Sequence, residues 1–503
     1  MKPKQKSFLQ NLDWVTTILP FGCITLLCCL FMIFPEGSAN ILASIRFFLG
    51  DQLGSYYLLM GLGAVICSLY MAFSRFGSIK LGDVEKPQYT AFQWGSMMFT
   101  AGLAADILFY SLCEWMLYAD ESHISEMGSI QDWTSVYPLF HWGPIPWSFY
   151  IILAVAFGFM IHVRRRNKQK YSEACRPLLG KKVDGVVGKL IDLTAVFALL
   201  AGTATTFSLA LSKVLGVAET PLLTIAILVI ICIVYTLAVY FGMQGVTRLA
   251  ASCIYLFFVL LAYFLFLGGQ TRYIIETGIT AIGLLTQNFI SLATWTDALR
   301  TSSFPQNWTI FYWAYWMVWC VATPFFIGTI SKGRTIRQTV LGGYFFGLAG
   351  TFTSFIILGN YGLGLQTHGI LDLMGLYRET GDLYQAIIAV FETMPAARFG
   401  LILLAVTMIA FYATTFDALT MVASSYSYRS LDADEEPDKK VKLFWAITLM
   451  LFPIALIFSE NSMSSLQSVS IVAAFPIGFI ILMIVWSFFK DADAYLHDTG
   501  SKG

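Results

Sequence analysis

Apolar residues run for about 20 positions at a time along nearly the whole chain, the length a helix needs to cross the hydrocarbon core of a bilayer. Such runs fall near 13-34, 54-74, 92-118, 139-162, 186-212, 220-241, 247-268, 308-331, 338-360, 400-426, 442-459 and 465-489. The pattern predicts an all-α polytopic membrane protein with twelve transmembrane helices. Two stretches between spans, about 270-300 and 365-397, are moderately apolar but broken by Gly, Thr and charge, as expected of amphipathic helices lying along the outer face. Spans three to seven and eight to twelve form two sets of five, and an odd number per set forces opposite orientations, as an inverted repeat requires. The expected division is therefore 1-91 for an N-terminal tail and two peripheral helices, 92-268 for the first five-helix repeat, 269-307 for a connecting amphipathic helix, 308-489 for the second repeat and 490-503 for a short tail.

Composition narrows the class. The 503 residues are 57% hydrophobic, 16% aromatic and only 12% charged, which excludes a soluble domain. Basic and acidic residues balance at 31 each, so no overall field recruits nucleic acid or acidic partners. The distribution of charge is more telling. Lys2, Lys4 and Lys6, then Arg75, Lys80 and Lys86, then the cluster from Arg164 to Lys189, then Lys332 to Arg337, then Lys439 to Lys442 occupy alternate loops. By the positive-inside rule those loops and both termini are cytoplasmic, and the acidic 119-137 loop lies opposite. The cysteines sit almost wholly inside apolar runs without C-x-x-C spacing, as packing residues do, so neither a disulfide framework nor a metal site is expected. The first apolar run lacks a small-residue cleavage site and reads as a retained helix.

Candidate chemistry gathers in a few places. Over Trp308 to Trp319, a helix advancing about 100° per residue puts Trp308, Tyr312, Tyr315, Trp316 and Trp319 in one stripe. Two readings fit: a wall of π faces for a desolvated quaternary ammonium group, which has no N–H to donate, or an interfacial belt and ring packing. Asp106, after Ala101-Gly102-Leu103-Ala104-Ala105, sits midway along its span, where a carboxylate costs about 2.5 kcal/mol or more. It marks a substrate or ion path, or else it pairs with a structural Arg or the backbone. Glu114, two turns further out, is expected near the surface.

Thr414 and Thr415, beside Asp417, offer hard oxygen ligands for an alkali cation or bond back to their own helix; Gly202 to Thr206 is a weaker version of the same pattern. Span four opens Phe140-His141-Trp142-Gly143-Pro144-Ile145-Pro146-Trp147. Two prolines and a glycine prevent a regular first turn there, so Trp142 is offset from the helix that carries Trp147 and Tyr150. His141, with no second His nearby, reads as a hydrogen-bonded interface residue. No H-E-x-x-H, G-x-S-x-G or Walker loop occurs, so a membrane enzyme would lack its usual equipment.

The run Trp308 to Trp316, followed by Ile330-Ser331-Lys332-Gly333-Arg334-Thr335-Ile336-Arg337, resembles the signature of the betaine/carnitine/choline transporters. Phe140-His141-Trp142 with Pro146-Trp147 is a second match, closest to the carnitine branch. The resemblance extends from the first span to the last. It implies a twelve-helix fold with the five-plus-five inverted repeat of many sodium symporters, a homotrimer in the cell membrane, and import of a quaternary ammonium compound by alternating access. Choline, glycine betaine and carnitine-like solutes are the implied substrates, with sodium or a proton as coupling ion and no cofactor.

Carried over position by position, the family's aromatic box falls on Trp142, Trp147, Tyr150, Tyr315, Trp316 and Trp319, and its sodium site on Ala101, Leu103, Phe411, Thr414 and Thr415. Tyr315 departs from the usual Trp and adds an O–H. Members that exchange precursor for product without an ion carry an Arg in span seven; this chain has Ile254 there, and Arg248 lies at the cytoplasmic end. Ion-independent exchange of the carnitine/γ-butyrobetaine type is therefore the alternative reading. Asp106 stands where proton-coupled choline carriers have Asp and sodium-coupled betaine carriers have Gly, which favours a proton or a choline-like substrate and adds Asp106 to the substrate site. The short C-terminal tail argues against the osmotic sensing that some relatives perform.

Overall fold

The computed structural model describes residues 11–102, 105–166, 168–207, 233, 243–429, 431, 436–457 and 462–500. Among these the architecture is all-helical, and the strand-type pairings are two isolated bridges, Leu12 with Tyr428 and Lys80 with Thr335. The longer helices are α1 (Trp14–Ile33), α2 (Pro35–Arg46), α3 (Gly54–Phe73), α4 (Ala91–Ala101), α5 (Ala105–Ala119), α6 (Ser122–Glu126), α7 (Ile130–His141), α8 (Pro144–Gly158), α9 (Val186–Phe207) and α10 (Met243–Leu267). They continue as α11 (Thr271–Thr294), α12 (Ile310–Trp319), α13 (Thr323–Ile330), α14 (Ile336–Ser354), α15 (Asn360–Thr367), α16 (Leu373–Thr380), α17 (Leu383–Glu392), α18 (Ala397–Tyr426), α19 (Lys439–Ile457) and α20 (Ser462–Gly500).

Among the described residues, six stretches are long and apolar enough to cross a membrane, and nine are if each of three bent helix pairs counts as one span. The bent pairs are α4 with α5 (58°), α10 with α11 (111°), and α12 with α13 (58°). Of the other expected spans, 186-212 and 442-459 correspond in part to α9 and α19, while 220-241, residue 233 apart, lies outside the described residues. The sharp turn before α11 falls at Gly268 to Gln270, where Gly269 adopts φ +72, a left-handed conformation that costs glycine little.

Local sequence explains many of the ends. Thr90 with Gln93 and Thr335 with Gln338 form capping boxes at the starts of α4 and α14. Two expectations need correction. The acidic 119-137 stretch is not a plain loop: it contains α6 and most of α7, which Ser129 starts by accepting from the Asp132 N–H. Span four consequently begins nine residues earlier than 139, at Ile130, with its break at Trp142 and Gly143. The segment 365-397 is likewise two helices, α16 and α17, separated by Gly381 in the left-handed region and restarted by Asp382 as N-cap.

Helix α8 forms the centre. Every residue from Ile145 to Gly158 is buried, as an all-apolar helix requires, whereas α1 and α3 leave Leu26, Ile33, Leu59 and Phe73 exposed toward surroundings that suit hydrocarbon. α8 and α13 meet backbone to backbone: a Cβ built on Gly328 would lie 2.8 Å from Gly158 N and 2.9 Å from Ala154 O. Gly328→Ala is therefore expected to lower the thermal unfolding midpoint in detergent, by an overpacking cost of roughly 1–3 kcal/mol. Gly283→Ala, whose Cβ would meet nothing within 4 Å, should leave it unchanged or slightly higher.

Between α5 and α7, His123 stacks on Trp295 at 3.7 Å and its Nε2 lies 2.9 Å from the Tyr137 hydroxyl. Burial pushes the imidazole down to about 4, against the opposing pull of Asp297. An unfolded histidine protonates near 6.5, so between about 6.5 and 4 the unfolded chain binds the extra proton and stability is lost as the pH is lowered. The loss should be roughly 1–2 kcal/mol after allowance for solvent screening at this half-buried site. Thermal melts at pH 7.5 and 5 should show it, and His123→Phe should flatten the difference; equal pH dependence in both proteins refutes the assignment.

Candidate functional site

Two broken helices and one central helix bring the aromatic residues together. α12 carries Tyr315, Trp316 and Trp319, all buried. α8 carries Trp147 and Tyr150, and the kink before it holds Trp142. Trp316 is the hub: its ring lies 5.0 Å from Tyr150, 5.6 Å from Trp142 and 6.2 Å from Trp147, centroid to centroid. Trp319 reaches the group through Tyr315, 6.2 Å away. Such tilted and edge-on contacts put the rings directly against one another, so a cation placed among them requires the rings to part. The indole N–H groups of Trp147, Trp316 and Trp319 are buried with no hydrogen-bond partner among the described residues, which leaves three donors facing an interior.

Glycines fix Trp147 in this arrangement. A Cβ on Gly102 would lie 2.3 Å from its ring and one on Gly347 2.5 Å, so the indole is held between the broken end of α4 and the middle of α14. Asp106 occupies the first turn of α5, just after the break, where the helix dipole favours a negative group. The carboxylate is buried, accepts from the Tyr315 hydroxyl, and lies 3.5 Å from the Tyr412 hydroxyl of α18. Tyrosines from two other helices, Tyr315 of α12 and Tyr412 of α18, thus stand against the carboxylate.

Glu114 departs from expectation. It is 0% exposed instead of near the surface, because α7 and α12 pack over that face of α5. Its carboxylate accepts from the Tyr118 hydroxyl at 2.5 Å and from the Trp142 indole N–H at 2.9 Å. Glu114 thus touches the aromatic cluster directly. The signal was present in the spacing: Asp106, Tyr110, Glu114 and Tyr118 recur at every fourth residue and share a helix face. Tyr110 and Phe355, whose rings lie 5.8 and 5.4 Å from Trp142, also join the cluster without having been singled out.

His141 is an internal hydrogen-bonding residue, with Nδ1 2.6 Å from the Tyr118 hydroxyl and Nε2 3.0 Å from Thr309 Oγ1. Trp308 stands aside from the centre, whereas Tyr312, whose ring lies 5.6 Å from Trp142, belongs to the cluster. Trp308 falls in the π-turn Pro305–Thr309 and donates to Glu121 at 2.6 Å; Tyr312 stacks on His141 at 4.7 Å. The stripe therefore divides at the start of α12.

The ion-site positions converge less tightly. Phe257 of α10 touches both Phe99 of α4 and Phe411 of α18, 5.9 and 6.1 Å away, which draws the end of α4 near Ala101 toward the Thr414 and Thr415 segment. Thr414 donates to the Phe411 carbonyl at 2.8 Å, the back-bonded alternative, and keeps lone pairs for a further contact. Cys253, one residue before Ile254 on α10, lies 4.0 Å from Thr414. Leu103 and the side chains of Asp417, Arg248 and residues 202–206 lie outside the described residues.

Comparison with known proteins identifies the family. Residues 15–496 match the model of the betaine/carnitine/choline family transporters. The chain is 28% identical to a carnitine transporter of Acinetobacter baumannii over 86% of its length and 80% of the relative's. It is 30% identical to a glycine betaine transporter of Bacillus subtilis over 91% and 90%, and 26% identical to a high-affinity choline transport protein of Escherichia coli over 93% and 70%. These relatives are transporters, not enzymes, and the chain belongs to the betaine/carnitine/choline transporter family.

Proposed function

We propose that this protein is a secondary active transporter that imports a quaternary ammonium solute by alternating access, coupled to sodium or protons. The observation that carries the reading is the buried ring cluster centred on Trp316, with the carboxylate of Asp106 held by its neighbour Tyr315. Several π faces hold an ammonium that cannot donate a hydrogen bond. The unspent indole donors suit an oxygen on the solute's tail. Asp106 favours a solute of net positive charge, choline-like, over a zwitterion whose carboxylate it would repel.

Several architectural features accompany this reading. The two first helices of the counted repeats, 91–119 and 305–330, are both broken and both bent by 58°, which supports a five-plus-five inverted repeat within twelve spans. The basic loops belong in the cytoplasm with both termini, and the functional unit is a homotrimer in the cell membrane. Thr414 and Thr415 with Ala101, Leu103 and Phe411 are the candidate sodium ligands. Ile254, an uncharged residue next in sequence to the Cys253 that meets Thr414, weighs against ion-independent exchange.

Binding is tested by tryptophan fluorescence of the purified protein against choline, glycine betaine and carnitine, with and without sodium. A saturable change is expected because the rings must separate to admit the solute, and choline should bind most tightly. No change with any of the three overturns the reading.

A further inference from the structure

Glu114, Tyr118, His141 and Thr309 form one continuous buried chain of hydrogen bonds, 2.5, 2.6 and 3.0 Å in turn, that ends on the aromatic cluster at Trp142. We propose that Glu114 is a proton-binding site filled through this chain and that, in the transport cycle, its proton is the coupling ion; this second clause rests on the transport reading above.

The hydrogen arithmetic permits two complete arrangements. With Glu114 ionised, Thr309 donates to His141 Nε2, His141 Nδ1–H donates to Tyr118, and Tyr118 donates to the carboxylate. With Glu114 protonated, every bond reverses. Glu114 donates to Tyr118, Tyr118 to His141 Nδ1, and His141, now carrying its proton on Nε2, to Thr309. The two states differ by one proton, and each of the four groups remains bonded in both.

Passage inward breaks the His141 Nδ1–H bond as the ring gains a proton at Nε2 from Thr309. Tyr118 gains that hydrogen and passes its own to Glu114, and Thr309 takes a replacement from the cavity side. On either side of Thr309 in sequence, Gln306 and Ile310 line a polar cavity of about 260 Å³ with Asp51, Ser55 and Thr296, which serves as the inlet.

The surroundings of Glu114 contain no ion pair among the described residues. Tyr110, Cys113 and Tyr118 face it from its own helix, His141 and Trp142 from α7 and the kink, and Tyr312 from α12. Tyr384 of α17 lies behind Cys113, and Asp106 with Tyr412 of α18 lies two turns away. With no Lys or Arg beside it, a proton is the available counter-charge. Protonation also has a route to the rings. Trp142 donates to Oε2 of the carboxylate, so adding a proton weakens the bond that holds Trp142 against Trp316 and eases the separation an ammonium solute requires.

The test uses the full-length protein. Infrared difference spectra between high and low pH should contain a buried carboxylic-acid C=O band that disappears in Glu114→Gln and persists in Asp106→Asn. In proteoliposomes, the acceleration of choline uptake by an inward proton gradient, measured against each protein's own rate without a gradient, should vanish in Glu114→Gln. A band unchanged in Glu114→Gln overturns the proton site. A band lost while gradient acceleration persists overturns the coupling role. A band lost in a protein that transports none of choline, glycine betaine or carnitine upholds the site and refutes the transport reading instead.

Discussion

Trp316→Leu is expected to abolish uptake of labelled choline into proteoliposomes while the protein still inserts and purifies at wild-type yield. Trp316 contacts Trp142, Trp147 and Tyr150 together, so its loss removes one π face from the solute and the common surface against which the other three rings are set. A desolvated cation and one indole face exchange about 2 kcal/mol, or roughly 30-fold in affinity, before the disordering of the remaining rings is counted. Trp316→Phe keeps a weaker face and should retain measurable uptake with a raised KM. Trp319→Leu should be milder than Trp316→Leu, since Trp319 meets the cluster through Tyr315. Normal uptake in Trp316→Leu would remove the ring cluster as the substrate site.

Asp106→Asn should produce the second largest effect and change the selectivity. The substitution preserves shape and an acceptor for the Tyr315 hydroxyl but removes the charge. At about 5 Å and an effective dielectric near 20, the attraction between the carboxylate and an ammonium group is about 3 kcal/mol, so choline uptake should fall roughly 100-fold. Glycine betaine carries its own carboxylate and should lose much less. Competition between the two labelled solutes in wild type and Asp106→Asn reads the difference directly. An equal loss for both would show that Asp106 acts on the fold and not on the solute's charge.

The aromatic motif from Trp308 to Trp316 and the kinked Trp142 to Trp147 segment are legible in the sequence. Residues at three- and four-residue spacing share a helix face whatever the helix packs against. The paired prolines after Gly143 announced their own break. Glu114 was misjudged for the opposite reason. Its position along α5 said only that it lay toward one end of a span; that α7 and α12 close over this end depends on helices that arrive from other parts of the chain. Tyr412 is a similar case, since nothing near it in the sequence points to Asp106, 306 residues away.

Membrane class, most of the spans, the transporter signature and the candidate ring residues were thus determined by sequence alone, because apolar length and helical periodicity are local properties imposed by the bilayer and by backbone geometry. The tertiary structure decided which faces meet. It made Trp316 the hub, wedged Trp147 between Gly102 and Gly347, placed Asp106 under Tyr315, and joined Glu114 through Tyr118 and His141 to Thr309. The reason is physical: hydrocarbon satisfies an apolar helix face in any rotation, so the pattern of apolar residues leaves rotation and partner open. The few buried polar groups, each costly without a partner, select the arrangement in which their hydrogen bonds close.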